Sequence, residues 1–185
     1  MDAVLVPPRQ ENFHLSRSTL ESLPYQDDII KKVVNKIEQE QLTKIKEDTL
    51  GILFERLLRE QEKKDLGQFY TPQEIVSYIV NFLDIKQDSK ILDPTCGCGV
   101  FLVSAYNHLK QINPNALNNI YGVDLNNSAT KIARINLWLR NGQDSNSLNI
   151  LEKNIKIGNS IVGNRFVDKK AFNWKEEFSN VLNEG

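Results

Sequence analysis

Asp93-Pro94-Thr95-Cys96-Gly97-Cys98-Gly99-Val100-Phe101 places an acid and a proline ahead of two glycines one residue apart, and then turns apolar. Lys90-Ile91-Leu92-Asp93 reads as a β-strand leading into it, and Val100 to Leu109 as a helix leading out. The glycines let the backbone come close to a ligand, and the free N–H groups at the helix start favour polar or anionic groups. A dinucleotide fingerprint needs a third glycine three residues after the second, where Leu102 stands, and no Gly-Lys-Ser/Thr ending makes a P-loop. Pyrophosphate is therefore not the favoured ligand. The acid just before the turn suits a ligand that carries a positive group.

Downstream, short apolar runs alternate with helical segments, as in a parallel sheet with crossover helices. Asn119 to Asp124 reads as strand two, Ala129 to Leu139 as a helix, and Asn154-Ile155-Lys156-Ile157 as strand three, with Asn141 to Ser147 a polar loop. Strand two also ends in an acid, Asp124, placed to accept hydrogen bonds from both hydroxyls of a ribose. Such a site fits S-adenosylmethionine, whose amino-acid end would meet Asp93. Upstream, Thr71-Pro72-Gln73-Glu74 has the form of a capping box with proline at the first helical position. Ile75, Val76, Ile79, Val80 and Leu83 then predict a buried stripe.

The α/β unit begins near Leu66, so three regions are predicted: an irregular arm over 1–24, a helical lead-in over 25–66 and the α/β domain over 67–185. In the lead-in, Ile29, Ile30, Val33, Val34, Ile37 and Ile45 recur at helical spacing from Asp27 to about Lys46. Leu50, Leu53, Phe54, Leu57 and Leu58 repeat the pattern on a second helix. Arg59 to Asp65 has mixed sign and reads as a solvated helix end.

The 185 residues, 40% of them hydrophobic, are enough for one folded domain. No apolar run approaches the roughly 20 residues of a membrane span, and no leader pattern opens the chain, so a cytoplasmic address is expected. The two cysteines, Cys96 and Cys98, are too close for an ordinary disulfide and too few for zinc. A net charge of −1 supplies no general attraction for nucleic acid.

Three stretches together resemble the adenine-specific DNA methyltransferases of restriction-modification systems. Leu66-Gly67-Gln68-Phe69-Tyr70-Thr71-Pro72 is similar to the motif that precedes strand one in that family. The turn from Asp93 to Phe101 is similar to its cofactor loop, and Asn154 to Ser160 to its third-strand motif. The order, with Phe-Tyr-Thr-Pro first, is that of the family, and the resemblance covers roughly 51–163. The helix around Gly51-Ile52-Leu53-Phe54-Glu55 also resembles the lead-in of single-chain restriction-modification enzymes and type I modification subunits.

The resemblance implies the front half of a Rossmann-like class I methyltransferase sheet that holds S-adenosylmethionine. Asp93 would meet the cofactor's amino group and Asp124, with Leu125 beside it, its ribose, although each acid also suits a capping role at a strand end. Pro94, Cys96, Gly97 and Gly99 would form the cradle, the cysteines acting through packing and backbone. Tyr70 and Thr71 would help hold the carboxylate, although a helix N-cap is by itself a sufficient reason for Thr71. Asn159 and Ser160 fall at the adenine edge, with Asn159 offering an uncharged oxygen where many relatives carry aspartate.

The family's Asn/Asp-Pro-Pro-Tyr/Phe motif, which grips an extruded adenine, is absent from these 185 residues. The chain is therefore expected to end short of the catalytic loop, to lack methyl transfer on its own, and to meet DNA through segments it does not contain. In the family's sheet strand four lies beside strand one, so self-association or a partner chain is expected there. A specificity or nuclease subunit docking on the helical pair is the alternative role.

Overall fold

The computed structural model describes residues 13–14, 28–39, 44–45, 49–57 and 71–182. Its centre is a three-stranded parallel sheet of β3 (Ile91–Asp93), β4 (Ile120–Asp124) and β5 (Ile155–Ile157), in the order β3-β4-β5. Leu92 pairs with Tyr121 and Val123 with Lys156, so all three strands end on one side of the sheet. The α/β fold with parallel strands and crossover helices is the one predicted, and the three strand positions agree to within a residue.

Alternation along β4 assigns the two faces of the sheet. Ile120 points into the main core with Leu102, Tyr106, Leu109, Ile132 and Leu151, which come from α4 (Val100–Lys110), α5 (Asn127–Arg140) and α6 (Ser145–Asn154). Val123 and Tyr121 meet the opposite layer, an aromatic cluster of Phe172, Trp174 and Phe178 around the short helices α7 (Trp174–Glu177) and α8 (Ser179–Leu182). Its rings meet edge-on, with Tyr121 to Phe178 at 5.5 Å and Phe172 to Trp174 at 4.8 Å. Lys156 ties this layer to the sheet through a 2.8 Å bond to Glu177 Oε2.

The helical lead-in consists of α1 (Asp28–Gln39) and α2 (Thr49–Leu57). Val33, Leu50, Leu53 and Phe54 are buried in the same core as Ile135 and Trp138 of α5. The lead-in thus shares the hydrophobic core of the α/β domain.

Four local readings are corrected. Helix α1 is described only to Gln39, and Ile45, expected on it, lies in strand β2 (Lys44–Ile45). Residues of the expected irregular arm form β1 (Phe13–His14), antiparallel to β2, because a two-residue strand is made by its partner rather than by local pattern. Residues 145–154 are helical where the sequence reading had a polar loop running to Ser147. Ser147 and Leu151 are buried at a spacing of four, which packs α6 onto α5.

The fourth correction concerns α3 (Gln73–Asn81), whose N-cap is Pro72 in extended geometry with no side-chain cap bond. Pro72 accepts from the N–H groups of Ile75 and Val76 through its carbonyl, so Thr71 is not the cap. Only Val76 and Val80 of the predicted stripe are buried, against Ala105, Phe101 and Ile91. Ile75, Ile79 and Leu83 are exposed, alongside Tyr78 and Phe82, whose rings pack against each other at 4.7 Å. Among the described residues, no helix is long and apolar enough to cross a membrane.

Candidate functional site

Register brings together the turns that follow the three strands, the place where parallel α/β sheets bind ligands. From β3 comes the turn 94–99, from β4 Leu125 and Asn126, and from β5 Gly158 to Ser160. A backbone bond of 3.0 Å from Gly158 N–H to the Asp124 carbonyl joins the second and third turns. Of the predicted cofactor residues, Thr71, Asp93, Pro94, Cys96, Gly97, Gly99, Asp124, Leu125, Asn159 and Ser160 are described, and Tyr70 lies outside the described residues.

The turn is shaped by its two glycines. Gly97 has φ 51° and Gly99 φ 85°, left-handed values that cost a residue with a Cβ. A Cβ on Gly99 would stand 2.9 Å from that of Ala133, so α5 presses directly on the turn from behind. Around a Cβ at Gly97 no atom of the described residues lies within 4 Å. Among the described residues, the back of the turn is sealed by α5 and its Gly97 side is uncovered.

Asp124 is the clasp of the site. Its Oδ2 accepts from Gly97 N–H at 2.8 Å and its Oδ1 from Asn126 N–H at 2.8 Å. One carboxylate thus fixes both the glycine turn and the entry to α5, and each oxygen retains a lone pair for a ligand hydroxyl. The capping role open to Asp124 in the sequence belongs to Asn126, whose side chain accepts from Ser128 and Ala129 N–H groups.

Asp93 is held differently. Its Oδ1 accepts one bond, from Thr95 N–H at 3.0 Å. Burial pushes its carboxyl above the usual range; the Thr95 bond opposes this and the nearby Asp124 charge adds to it. An acid whose charge the fold leaves poorly compensated is suited to meet a cationic group.

Cys96 is buried, its N–H on the Val123 carbonyl at 2.9 Å and its Sγ 3.0 Å from where a Cβ on Gly122 would stand. Burial, followed by the Asp93 and Asp124 charges, drives its thiol well above the usual value, which suits packing and disfavours a thiolate. Cys98 is backed by Gly51 of α2, where an added Cβ would lie 3.6 Å away, so the lead-in reaches the rear of the turn.

Asn159 works mainly for its own loop. Its Nδ2 donates to Asp168 Oδ2 at 2.7 Å and its Oδ1 accepts from Ile161 N–H at 3.1 Å. Asp168 is held below the usual carboxylate range first by the Lys170 N–H and then by Asn159. Trp174 Nε1–H bonds the Ser160 carbonyl at 3.0 Å, which anchors the third turn to the aromatic layer.

Sequence reasoning missed two residues of the site: the helix cap Asn126 and Asn136, which reaches the turn from α5. Asn126 carried a signal, an asparagine immediately ahead of a helical run. Asn136 carried a weaker one, a polar residue set between the apolar Ile135 and Leu137.

The family model described as N-6 DNA Methylase matches residues 45–181. The chain is 34% identical over 135 residues to the type I restriction enzyme MjaVII methylase subunit of Methanocaldococcus jannaschii, covering 72% of the chain and 22% of that protein. It is 26% identical to the type II restriction enzyme and methyltransferase RM.BcgI of Heyndrickxia coagulans, covering 94% of the chain and 28% of that protein. A crystal structure of a modification subunit assigned to a type I restriction enzyme of Vibrio vulnificus YJ016 matches with a TM-score of 0.43 at 25% identity, over 77% of the chain and 34% of that structure. The chain spans 22% and 28% of the two named enzymes.

Proposed function

As the chain belongs to the N-6 DNA methylase family, we propose that it forms the S-adenosylmethionine-holding part of a DNA adenine methyltransferase of a restriction-modification system. The observation that carries this reading is the meeting of Asp93, the glycine turn and Asp124 at the strand ends, with Gly97 uncovered by any of the described residues. The donor set fits the cofactor: a poorly compensated carboxylate for an ammonium, a second for a diol, and a left-handed turn for close approach.

In this reading Asp93 faces the amino group, Asp124 the ribose hydroxyls, and Leu125, Asn159 and Ser160 the adenine. Thr71, released from capping, and Tyr70 face the carboxylate, while Pro94, Cys96, Gly97 and Gly99 form the cradle. Bound there, the cofactor supplies a methyl group activated by its sulfonium. A cytoplasmic location accords with DNA as the substrate.

Transfer also needs groups that align the adenine amine, and these residues contain no Asn/Asp-Pro-Pro-Tyr/Phe motif to provide them. The purified chain is therefore expected to bind S-adenosylmethionine in calorimetric titration and to leave DNA unmethylated. No heat of binding from a folded sample would overturn the first part, and labelled methyl groups in adenine the second.

A role in assembly is favoured by β3, an edge strand among the described residues, flanked by the exposed apolar face of α3, with Phe82 71% exposed. We propose that this edge receives further strands from a partner chain or a second copy, with DNA contacts supplied from outside these residues. A specificity or nuclease subunit is the partner class on the scaffold reading. Small-angle scattering at micromolar concentration is expected to show self-association of the isolated chain, and a well-behaved monomer would count against it.

A further inference from the structure

The back of the glycine turn rests on two residues of α5 one helical turn apart. Ala133 fills the space under Gly99, and Asn136 Nδ2 donates to the Cys98 carbonyl at 3.1 Å. On the other side of the same peptide unit, Gly99 N–H donates to the Cys96 carbonyl at 2.8 Å. The Cys98–Gly99 peptide is thus pinned at both ends, its N–H by the turn itself and its C=O by α5. This matters because glycine turns change shape by flipping such a peptide, and a flip here would carry Gly99 out of its left-handed conformation.

Asparagine is an unfavourable choice for stability at this position. Asn136 is 4% exposed, on a helix where Ile132, Ala133, Ile135 and Leu137 are also buried, and its Oδ1 has no hydrogen-bond partner among the described residues. An unpaired buried oxygen costs as much as one amide-to-carbonyl bond gains, or more. What asparagine supplies and an apolar residue cannot is a donor at the Cys98 carbonyl.

We propose that Asn136 is a positioning residue of the cofactor turn: by holding the Cys98 carbonyl it keeps Gly97 and Gly99 in the shape that receives the ligand. It acts through the turn and does not itself touch the ligand. The inference rests on the cofactor reading above for the identity of that ligand.

Amide exchange without ligand tests the positioning directly. In Asn136→Ala, protection at Gly97 and Gly99 is expected to fall roughly five- to tenfold, about one hydrogen bond's worth, while core amides such as those of Ile120 and Leu137 and the melting temperature stay unchanged. Asn136→Asp keeps the shape. Its buried carboxyl donates an O–H when protonated, so protection relative to wild type is expected to be near normal at low pH and lost as pH rises. Unchanged protection at both glycines in Asn136→Ala, or a uniform loss across the core with a lower melting temperature, would overturn the proposal.

Titration with S-adenosylmethionine separates this from the reading beneath it. If wild type binds, Asn136→Ala is expected to bind roughly five- to tenfold more weakly, and equal affinities would overturn the positioning role. If wild type fails to bind while the variant still loses protection at the two glycines, the cofactor reading falls and the hold on the turn stands.

Discussion

Asp124→Ala is expected to weaken S-adenosylmethionine binding at least about 100-fold, through two losses that add. The first is direct, the removal of a charged acceptor for two ligand hydroxyls. The second is internal: Gly97 N–H and Asn126 N–H, each bonded to this carboxylate at 2.8 Å, lose their shared partner. The turn is then free to relax before any ligand arrives, and part of the binding energy goes to restoring it. Since Gly97 and Asn126 are only half-buried, water takes up part of the deficit and the stability loss stays near 1–3 kcal/mol. Asp124→Asn is expected to fall between the two, because its single carbonyl oxygen cannot serve both N–H groups as the two carboxylate oxygens do, and its NH2 faces one of the former donors. Calorimetry with thermal melting checks this. Wild-type affinity in a folded Asp124→Ala sample would remove Asp124 from the site.

How much of this site could be read from sequence depends on whether the signal was local. The strand–turn–helix at 91–101 is written in consecutive residues, and the two left-handed glycines fall where the turn chemistry requires them. The double use of Asp124 was not legible, because its partner Gly97 is 27 residues away and only the parallel register brings them together. The same holds for Asn136, whose donor meets a carbonyl 38 residues earlier. Helix α6 was missed because Asn141 to Ser147 is polar enough to suggest a loop, and only the burial of Ser147 and Leu151 against α5 makes the segment helical. For α3 the periodicity was correctly read but its meaning was not. Ile75, Ile79 and Leu83 mark an apolar face, and periodicity does not say whether this chain covers it.

Asp93→Asn is expected to change stability and binding in opposite directions. The folded carboxyl titrates above its ordinary value of 3.8, chiefly because it is buried. Folding therefore favours its protonated form, so its contribution to stability is intact below the ordinary value and is lost as pH rises through the raised one. At neutral pH the ligand-free protein carries the desolvation cost of a half-buried carboxylate with one N–H partner among the described residues. Asparagine keeps the Thr95 acceptor and removes the charge, so the variant is expected to melt at the same temperature as wild type or higher at pH 7, with any advantage vanishing below pH 4. Binding is expected to fall about 10- to 100-fold, because a charge-assisted contact to the ammonium becomes a neutral one. A bound cation also draws the Asp93 proton off, so wild-type affinity should strengthen as pH rises through the raised value, and that dependence should disappear in the variant. Melting curves and calorimetry taken across the range from below pH 4 to pH 8 measure both halves. A variant that melts lower at pH 7 would place Asp93 in the scaffold, and one that binds as tightly as wild type would mean that the cation is met elsewhere.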